Sequence, residues 1–242
     1  MHPALKFVDH RPWPLPAGPW IMEQTWNDLL FAHWPVSAGI LRSLVPSVLS
    51  LDTFNGQSWV AVTPFRMSGV RLRSMPSLPC VSAFPELNVR TYVRHLDKPG
   101  VYFFSLDAGS RLAAWAARAS YHLPYRQAQM SVAQRNGWFE YHAKRNRDAE
   151  LHLRYRAVRP AQLRAAGTLE HWLTERYCLY TLVRNTLYRA EIHHRQWALQ
   201  DAEAEIRTNS MAQAAGVTLP EIQPLLCFSR RLEVLTWPLK RA

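Results

Sequence analysis

One short segment of this 242-residue chain carries side chains of the types that bind small acids: Glu86-Leu87-Asn88-Val89-Arg90-Thr91-Tyr92-Val93. Successive side chains of a β-strand point to opposite faces, so four polar residues would share one face: Glu86, Asn88, Arg90 and Tyr92. On an open antiparallel sheet such a face is simply wet. In a sheet that closes around a small cavity, the same row lines the cavity. A guanidinium there clamps a carboxylate, a phenol donates to a carbonyl, and a carboxyl acts as base or hydrogen-bond acceptor.

Other residues capable of chemistry have simpler interpretations. His193 and His194 are adjacent on a predicted strand, so they point to opposite faces and cannot easily share one metal ion. His33 is interpreted as a core or pocket-wall residue held by one hydrogen bond, and Asp107 as a turn or helix-start acid. The sequence contains no P-loop, G-x-G-x-x-G, H-E-x-x-H or G-x-S-x-G motif. It therefore predicts no cofactor and no metal site.

Alternation of apolar and polar residues, broken by turn signals, predicts the elements that position the polar row. Twelve strands are predicted, at 26–34, 48–54, 58–67, 86–95, 100–107, 126–134, 138–145, 149–158, 176–183, 186–193, 197–207 and 225–236. Four short helices are predicted between them, at 38–44, 111–120, 169–175 and 209–215. Because the helices are inserted between strands rather than alternating with them, we expect a single α+β domain over residues 1–242. Its core would be a mainly antiparallel, barrel-like sheet.

Local signals refine three of these connections. Asn-Gly at 55–56 predicts a tight hairpin between the strands at 48–54 and 58–67. A second hairpin is predicted around Asp97-Lys98-Pro99-Gly100, which pairs the polar strand with 100–107. Ser110 caps the helix over 111–120, whose apolar residues form one stripe: Leu112, Trp115, Ala116 and Ala119.

Composition excludes several classes of protein. The chain is 48% hydrophobic with ten Trp, which argues against disorder. No stretch free of charged residues exceeds 13 residues, whereas a membrane-spanning helix needs roughly 20 apolar residues. Residues 1–20 form a proline-rich N-terminal extension without the apolar segment of a signal peptide. Three widely spaced cysteines, Cys80, Cys178 and Cys227, are typical of neither a disulfide framework nor a zinc site, so the cytoplasm is the predicted location.

The charge is strongly basic, with 29 Lys and Arg against 18 Asp and Glu, a net charge of +11. Nucleic acid is the usual partner of a protein with such a positive electrostatic field. Only four of the 29 are lysines, and no aromatic stacking motif accompanies them. The densest basic run, 135–164, is interpreted as a solvated face of a sheet. Nucleic-acid binding is therefore the weakest of the alternatives.

The segments Phe84–Val93 and Pro99–Ala108 resemble the YqjF-like family of uncharacterised bacterial proteins. Shorter matches to that family are Phe31–Val36, Leu123-Pro124-Tyr125 and Ile192-His193-His194, and the resemblance spans residues 24–240. It implies a distant relation to acetoacetate decarboxylases, whose fold is a cone-like antiparallel barrel with an internal cavity. It implies no particular activity.

In those decarboxylases the substrate ketone forms a Schiff base with a lysine that follows a proline, and a second lysine lowers its pKa. By similarity this segment falls on Pro124-Tyr125-Arg126, and Glu86 takes the place of an assisting buried glutamate. Tyr125 has no amine and Arg126 stays protonated, so Schiff-base decarboxylation is disfavoured. The candidate ligand-binding residues are Glu86, Asn88, Arg90, Tyr92, Tyr125 and Arg126, with Glu86 and Tyr125 as the catalytic candidates.

Three function classes follow from these residues. The first is a protein that binds a small organic acid or keto compound. Such a protein could also be an enzyme, lyase-like or of another type, that turns this compound over. The second is a non-catalytic scaffold or partner-binding module of the same fold, which a cavity filled by Tyr125 and Trp rings would favour. The third is a nucleic-acid binder. The sequence favours the first class and leaves the oligomeric state open, a homo-oligomer included.

Overall fold

The chain is built mainly of β-strands. The computed structural model describes residues 2–77, 82–145 and 149–242, except the side chains of residues 117, 119 and 120. Its strands are β1 (Met22–Val36), β2 (Ser50–Leu51), β3 (Ser58–Leu72), β4 (Phe84–His95), β5 (Lys98–Ala108), β6 (Tyr125–Gln127), β7 (Gln129–Arg135), β8 (Trp138–Lys144), β9 (Glu150–Ala157), β10 (Gln162–Leu163), β11 (Cys178–Val183), β12 (Thr186–His194), β13 (Ala198–Asn209), β14 (Leu225–Thr236) and β15 (Lys240–Arg241). The helices are α1 (Ala38–Arg42), α2 (Arg111–Tyr121), α3 (Leu169–Thr174) and two 3₁₀ turns, Pro3–Lys6 and Gln213–Ala215. The predicted class, a mostly antiparallel sheet with a few short helices, is confirmed.

Seven strands follow one another in a closed circle of pairings, which we call the ring. Their order is β12, β11, β5, β4, β3, β1 and β14, and β12 returns to β14 through Ile192↔Thr236, His193↔Leu235 and His194↔Val234. All neighbours in the ring are antiparallel except β5 and β11, which run parallel over two positions. The short β6 adds a further parallel pairing along β5.

A second sheet, formed by β7, β8, β9 and β13, continues from β14 and covers one side of the ring. Its buried residues Tyr141, Leu153 and Tyr155 belong to the same core as Leu87 and Val89 of β4. Tyr141 Oη donates a hydrogen bond to the backbone carbonyl of Glu86 at 2.8 Å. As a result β4 has the second sheet against one face and the interior of the ring against the other.

One predicted connection is wrong. Strand β2 pairs with β4, through Ser50↔Arg94 and Leu51↔Val93, and not with β3. Only the turn itself forms at Asn55-Gly56, as an isolated bridge between Phe54 and Gln57. The predicted hairpin between β4 and β5 is confirmed, but its turn lies at Leu96-Asp97 rather than over 97–100, because Lys98 is already paired with His95. The residues of the Asn55-Gly56 turn therefore fixed a local bend but not the strand with which β2 pairs.

Helix α2 buries a different stripe from the one predicted. Ser110 Oγ does accept from the backbone N–H of Ala113, at 3.3 Å, so the predicted cap is confirmed. Leu112 and Trp115, however, are 59% and 71% exposed, whereas Ala114 is buried. A helix docked on β5 and β6 needs a close approach, which a small residue permits and a tryptophan prevents.

The N-terminal segment packs on the ring. Arg11 is buried, and its Nη1 donates to the backbone carbonyl of Ile192 at 2.7 Å. His193 Nε2 lies 2.9 Å from the carbonyl of Ala4. Residues predicted as an extension therefore cover the outer side of β12. Within the described residues, no helix has the length and apolar character needed to cross a membrane.

Closure of the ring between β5 and β11 requires a glycine. A Cβ on Gly100 would lie 2.7 Å from Cys178 Sγ and 2.8 Å from Tyr180 Cε2, closer than packed atoms approach. We expect Gly100→Ala to lower the free energy of unfolding by about 1–3 kcal/mol, measured by urea denaturation.

Gly39→Ala is the matched control, because the nearest heavy atom, Ser37 Oγ, would lie 3.6 Å away. Gly39 is in α1, where alanine adds up to about 1 kcal/mol of stability. Equal stability of the Gly100→Ala protein and the wild type would show that the two strands do not approach as described.

Candidate functional site

The polar row of β4 is entirely removed from solvent. All residues from 86 to 93 are buried, with Glu86 3%, Asn88 6% and Arg90 8% exposed. The interpretation of this row as a wet sheet face is therefore wrong, because the second sheet covers one face of β4 and the ring encloses the other.

Glu86, Asn88 and Arg90 line a cavity of about 110 Å³ inside the ring, and Tyr125 of β6 lines it beside them. A cavity needs about 10–15 Å³ to hold one water, so this cavity has room for several waters or for one small organic molecule. Further lining residues are Trp26, Thr63, Phe103, Tyr121, Arg176, His194 and Trp197.

Two predicted site residues lie elsewhere. Tyr92 is fully buried beyond the cavity wall, where its hydroxyl is 2.7 Å from Nε2 of the buried His33. Arg126 is exposed on β6 and lines an outer groove instead. Alternation explains its position, because the side chain next to the inward-facing Tyr125 must point outward. The predicted placement of Tyr92 and Arg126 in the cavity is thus not what the structure has.

Arg90 is a buried guanidinium without a counter-charge. Among the described residues, no carboxylate oxygen lies within 4.0 Å of it, and neither Nε nor Nη2 has a hydrogen-bond partner. Its guanidinium carbon sits 5.2 Å from the ring centre of Phe31 and 5.8 Å from that of Tyr92. These contacts hold the group by cation–π attraction but leave its N–H donors available.

Arg176 brings a second guanidinium to the cavity, and sequence reasoning missed it. Its Nη1 donates to Asp52 Oδ2 at 2.5 Å and its Nε to the carbonyl of Trp172 at 2.8 Å. Its Nη2 has no partner among the described residues. Arg176 lies between α3 and β11, and its carboxylate partner is 124 positions away, so no local pattern marks it. Two indole N–H groups, of Trp26 and Trp197, also lie unpaired at the cavity wall.

Glu86 and Tyr125 form the opposite, proton-bearing end of the site. Tyr125 Oη lies 3.2 and 3.1 Å from the two carboxyl oxygens of Glu86 and donates to them. Burial raises the pKa of Glu86 to about 8, although the Tyr125 hydrogen bond acts in the other direction. Burial also raises the pKa of Tyr125 well above its ordinary value. At pH 7 most Glu86 carboxyls are therefore protonated and neutral.

The two adjacent histidines face opposite ways, as their spacing predicted. His194 lines the cavity, with Nδ1 2.7 Å from the carbonyl of Arg195, whereas His193 faces the N-terminal segment. Burial lowers the pKa of His194 to about 3 and that of His193 to about 4, so both are neutral at pH 7. Across the described part of the chain, no group of three or more His, Cys, Asp or Glu side chains could hold a metal ion.

Two buried charged residues of the cavity differ from the other described buried charged residues in having no ion-pair partner. Eight Asp, Glu and Arg residues are buried among those described, and six of them form ion pairs: Arg11, Asp28, Asp52, Asp107, Arg176 and Glu191. The two exceptions are Glu86 and Arg90. They cannot easily pair with each other, because Arg90 is four positions after Glu86 on the strand, which places their Cα atoms about 13 Å apart. Both face the same cavity.

Solved structures share this fold. An acetoacetate decarboxylase from Legionella pneumophila gives a TM-score of 0.64 over 98% of this chain and 93% of that chain, at 14% identity. The enduracididine biosynthesis enzyme MppR, complexed with pyruvate, gives 0.64 over 96% and 93%, at 9% identity. An acetoacetate decarboxylase-like enzyme from Sphingomonas wittichii RW1 gives 0.63 over 98% of each chain, at 12% identity. The protein thus has the acetoacetate-decarboxylase-like fold, and at these identities the likeness shows the fold alone.

The family follows from sequence comparison. The model of the DUF2071 family, described as an uncharacterized conserved protein, matches residues 23–233. The uncharacterized protein YqjF of Bacillus subtilis strain 168 is 52% identical over 229 residues, which are 94% of this chain and 95% of the relative. This chain belongs to the DUF2071 family, and the YqjF-like resemblance of its sequence is confirmed.

The raised pKa of Glu86 makes stability depend on pH. The pKa of Glu86 is about 8 in the folded chain, against an ordinary value of 4.5. The contribution of Glu86 to the free energy of unfolding is therefore complete below pH 4.5 and is lost as the pH rises through 8. Between these values the loss is about 1.4 kcal/mol per pH unit. We expect the stability of the Glu86→Gln protein not to show this pH-dependent decrease, because glutamine cannot ionise. The free energy of unfolding of the wild type, relative to Glu86→Gln, should fall by about 3 kcal/mol from pH 5.5 to 7.5.

Urea denaturation of both proteins at four pH values measures this difference. The buried histidines titrate in both proteins, so the difference isolates Glu86. Parallel pH profiles would mean that Glu86 is ionised in the folded chain.

Proposed function

We propose that this protein binds a small organic acid or keto compound inside a cone-like barrel, without a Schiff-base lysine. The barrel in this proposal is the ring together with β6, and the ligand site is the cavity within it. The closed circle of strand pairings through β12 and β14 supports it. The observation that carries the proposal is that Arg90 and Glu86, alone among the buried acids and arginines described, lack an ion-pair partner.

The missing counter-charge points to an anion. An arginine stays protonated, and a buried charge without a partner costs several kcal/mol. Glu86 cannot supply the counter-charge at pH 7, because its pKa is about 8. Arg176 already has an ion-pair partner in Asp52. The cavity therefore carries one uncompensated positive charge, which a monoanionic carboxylate neutralises through charge-assisted hydrogen bonds.

The order of groups along β4 suggests an orientation for the ligand. Its carboxylate binds at Arg90, with the free Nη2 of Arg176 as an additional donor. A carbonyl or hydroxyl oxygen lies toward Glu86, whose protonated carboxyl donates to it. Asn88 stands between them, and its amide oxygen accepts a hydrogen bond from Thr63, so its amide nitrogen is the group that remains for the ligand.

Chemistry at this site would be proton transfer. None of the four lysines of the chain, all within the described residues, lines the cavity. Lys98, for example, lies 3.5 Å from Glu191. A carboxyl with a pKa of about 8 is suited to act as a general acid or base near neutral pH, which makes Glu86 the residue to test for turnover. One solved structure of this fold, MppR, is complexed with pyruvate, a small keto acid of the class proposed.

The other two classes have less support. Tyr125, Trp26 and Trp197 line the cavity but leave about 110 Å³ open, so the filled interior expected of a pure scaffold is absent from the described residues. On the basic strand β9, Arg154 pairs with Glu205 at 2.6 Å, and Arg156 pairs with Glu203. This neutralises the face that a nucleic acid would need. A cytoplasmic location remains part of the proposal.

Arginine substitutions test the proposal. A ligand at 100 times its Kd stabilises a protein by about 2.7 kcal/mol, which raises the Tm of a domain of this size by about 5–10 °C. We expect at least one small carboxylate or keto acid, such as pyruvate, acetoacetate or butyrate, to raise the Tm of the wild type. Arg90→Gln should abolish that rise.

Arg126→Gln is the matched control, because it removes the same charge from β6 outside the cavity. It should keep the ligand-dependent rise in Tm. A rise that survives in Arg90→Gln and disappears in Arg126→Gln would move the binding site to the outer groove.

A further inference from the structure

A second, apolar space adjoins the cavity, which we call the chamber. It has a volume of about 340 Å³ and lies between the first residues of β1, the end of β3 and helix α2. Its walls include Val70, Leu72, Ala113 and Ala116. Leu72 is 52% exposed, so the chamber opens to solvent on that side. Apolar surface that is concave and partly exposed is typical of a binding site.

The chamber and the cavity share a wall. Six residues line both: Met22, Gln24, Met67, Glu86, Tyr121 and Tyr125. The Glu86–Tyr125 pair therefore stands at the junction, with Arg90 only on the cavity side. Arg71, the only arginine among the described residues that lines the chamber, is paired with Glu23 at 2.5 Å. A molecule that spans both spaces thus meets a free positive charge at one end and an apolar wall at the other.

We propose that the ligand is a monocarboxylate with an apolar tail, an acyl chain for example, whose tail occupies the chamber. This inference rests on the proposed function, because it places the carboxylate at Arg90. The Cα atoms of Arg90 and Glu86 are about 13 Å apart, so a short acid held at Arg90 ends within the cavity. A longer chain passes the Glu86–Tyr125 pair and buries its last methylenes against Val70 and Ala113.

Chain length gives the direct test. Binding of acetate, butyrate, hexanoate and octanoate to the wild type is measured by isothermal titration calorimetry. Each methylene that enters the chamber should tighten binding about fourfold, from about 0.8 kcal/mol per buried methylene. We therefore expect octanoate to bind on the order of 100-fold more tightly than butyrate.

Variants of the chamber wall locate the tail. Ala113→Trp fills the chamber from α2 and should weaken octanoate binding at least tenfold while leaving butyrate binding unchanged. Val70→Phe narrows the chamber from β3 and should act in the same direction, which keeps the test valid if one variant does not fold. Leu112→Trp is the matched control, because Leu112 lies on the exposed side of the same helix.

The outcomes separate this inference from the proposed function. Equal affinities for butyrate and octanoate, or an octanoate affinity that neither wall variant changes, would overturn the chamber proposal alone. Octanoate binding that persists in Arg90→Gln would overturn both. Binding of 1-octanol as tight as that of octanoate would show that the chamber takes a neutral lipid and that the carboxylate assignment is wrong.

Discussion

The burial of strand β4 on both faces is the constraint from which the rest of this structure follows. An ordinary antiparallel strand can turn its polar residues to water, but here the second sheet takes one face and the ring takes the other. Every polar group of the row must then find its partner inside the protein. Asn88 accepts a hydrogen bond from Thr63, and Glu86 accepts one from Tyr125. Within the part of the chain that the structure describes, Arg90 has no carboxylate partner and lies against the rings of Phe31 and Tyr92.

The remaining buried charges show how the protein normally meets this requirement. Asp28 holds both Arg66 and Arg230, and Asp52 holds both Arg94 and Arg176. Each carboxylate joins residues that are far apart in sequence and fixes one element against another. Burial of an ion requires such a partner, because the desolvation of an isolated charge is not otherwise repaid. Against this background, the unpaired Arg90 and the neutral Glu86 are the two buried groups on which the proposed ligand site rests.

Much of the architecture could be predicted because its signals are local. Ser110 and Thr168 each cap the helix that follows, and Asn136-Gly137 turns the chain between β7 and β8. Strand pairing could not be predicted to the same extent. The turn at Asn55-Gly56 forms, yet β2 pairs with β4, because the pairing that wins is the one that buries the most apolar surface in the whole sheet.

The sequence by itself determined the alternation that places Glu86, Asn88 and Arg90 on one face, since the strand period depends only on backbone geometry. It also determined that no lysine follows Pro124 and that His193 and His194 diverge. Only the tertiary structure decided that this face is enclosed and that Tyr92 lies beyond the cavity wall. It alone brought Arg176 beside the row, held by an aspartate 124 positions away. Enclosure and ion pairing are properties of distant segments brought together, and a one-dimensional pattern does not contain their distances.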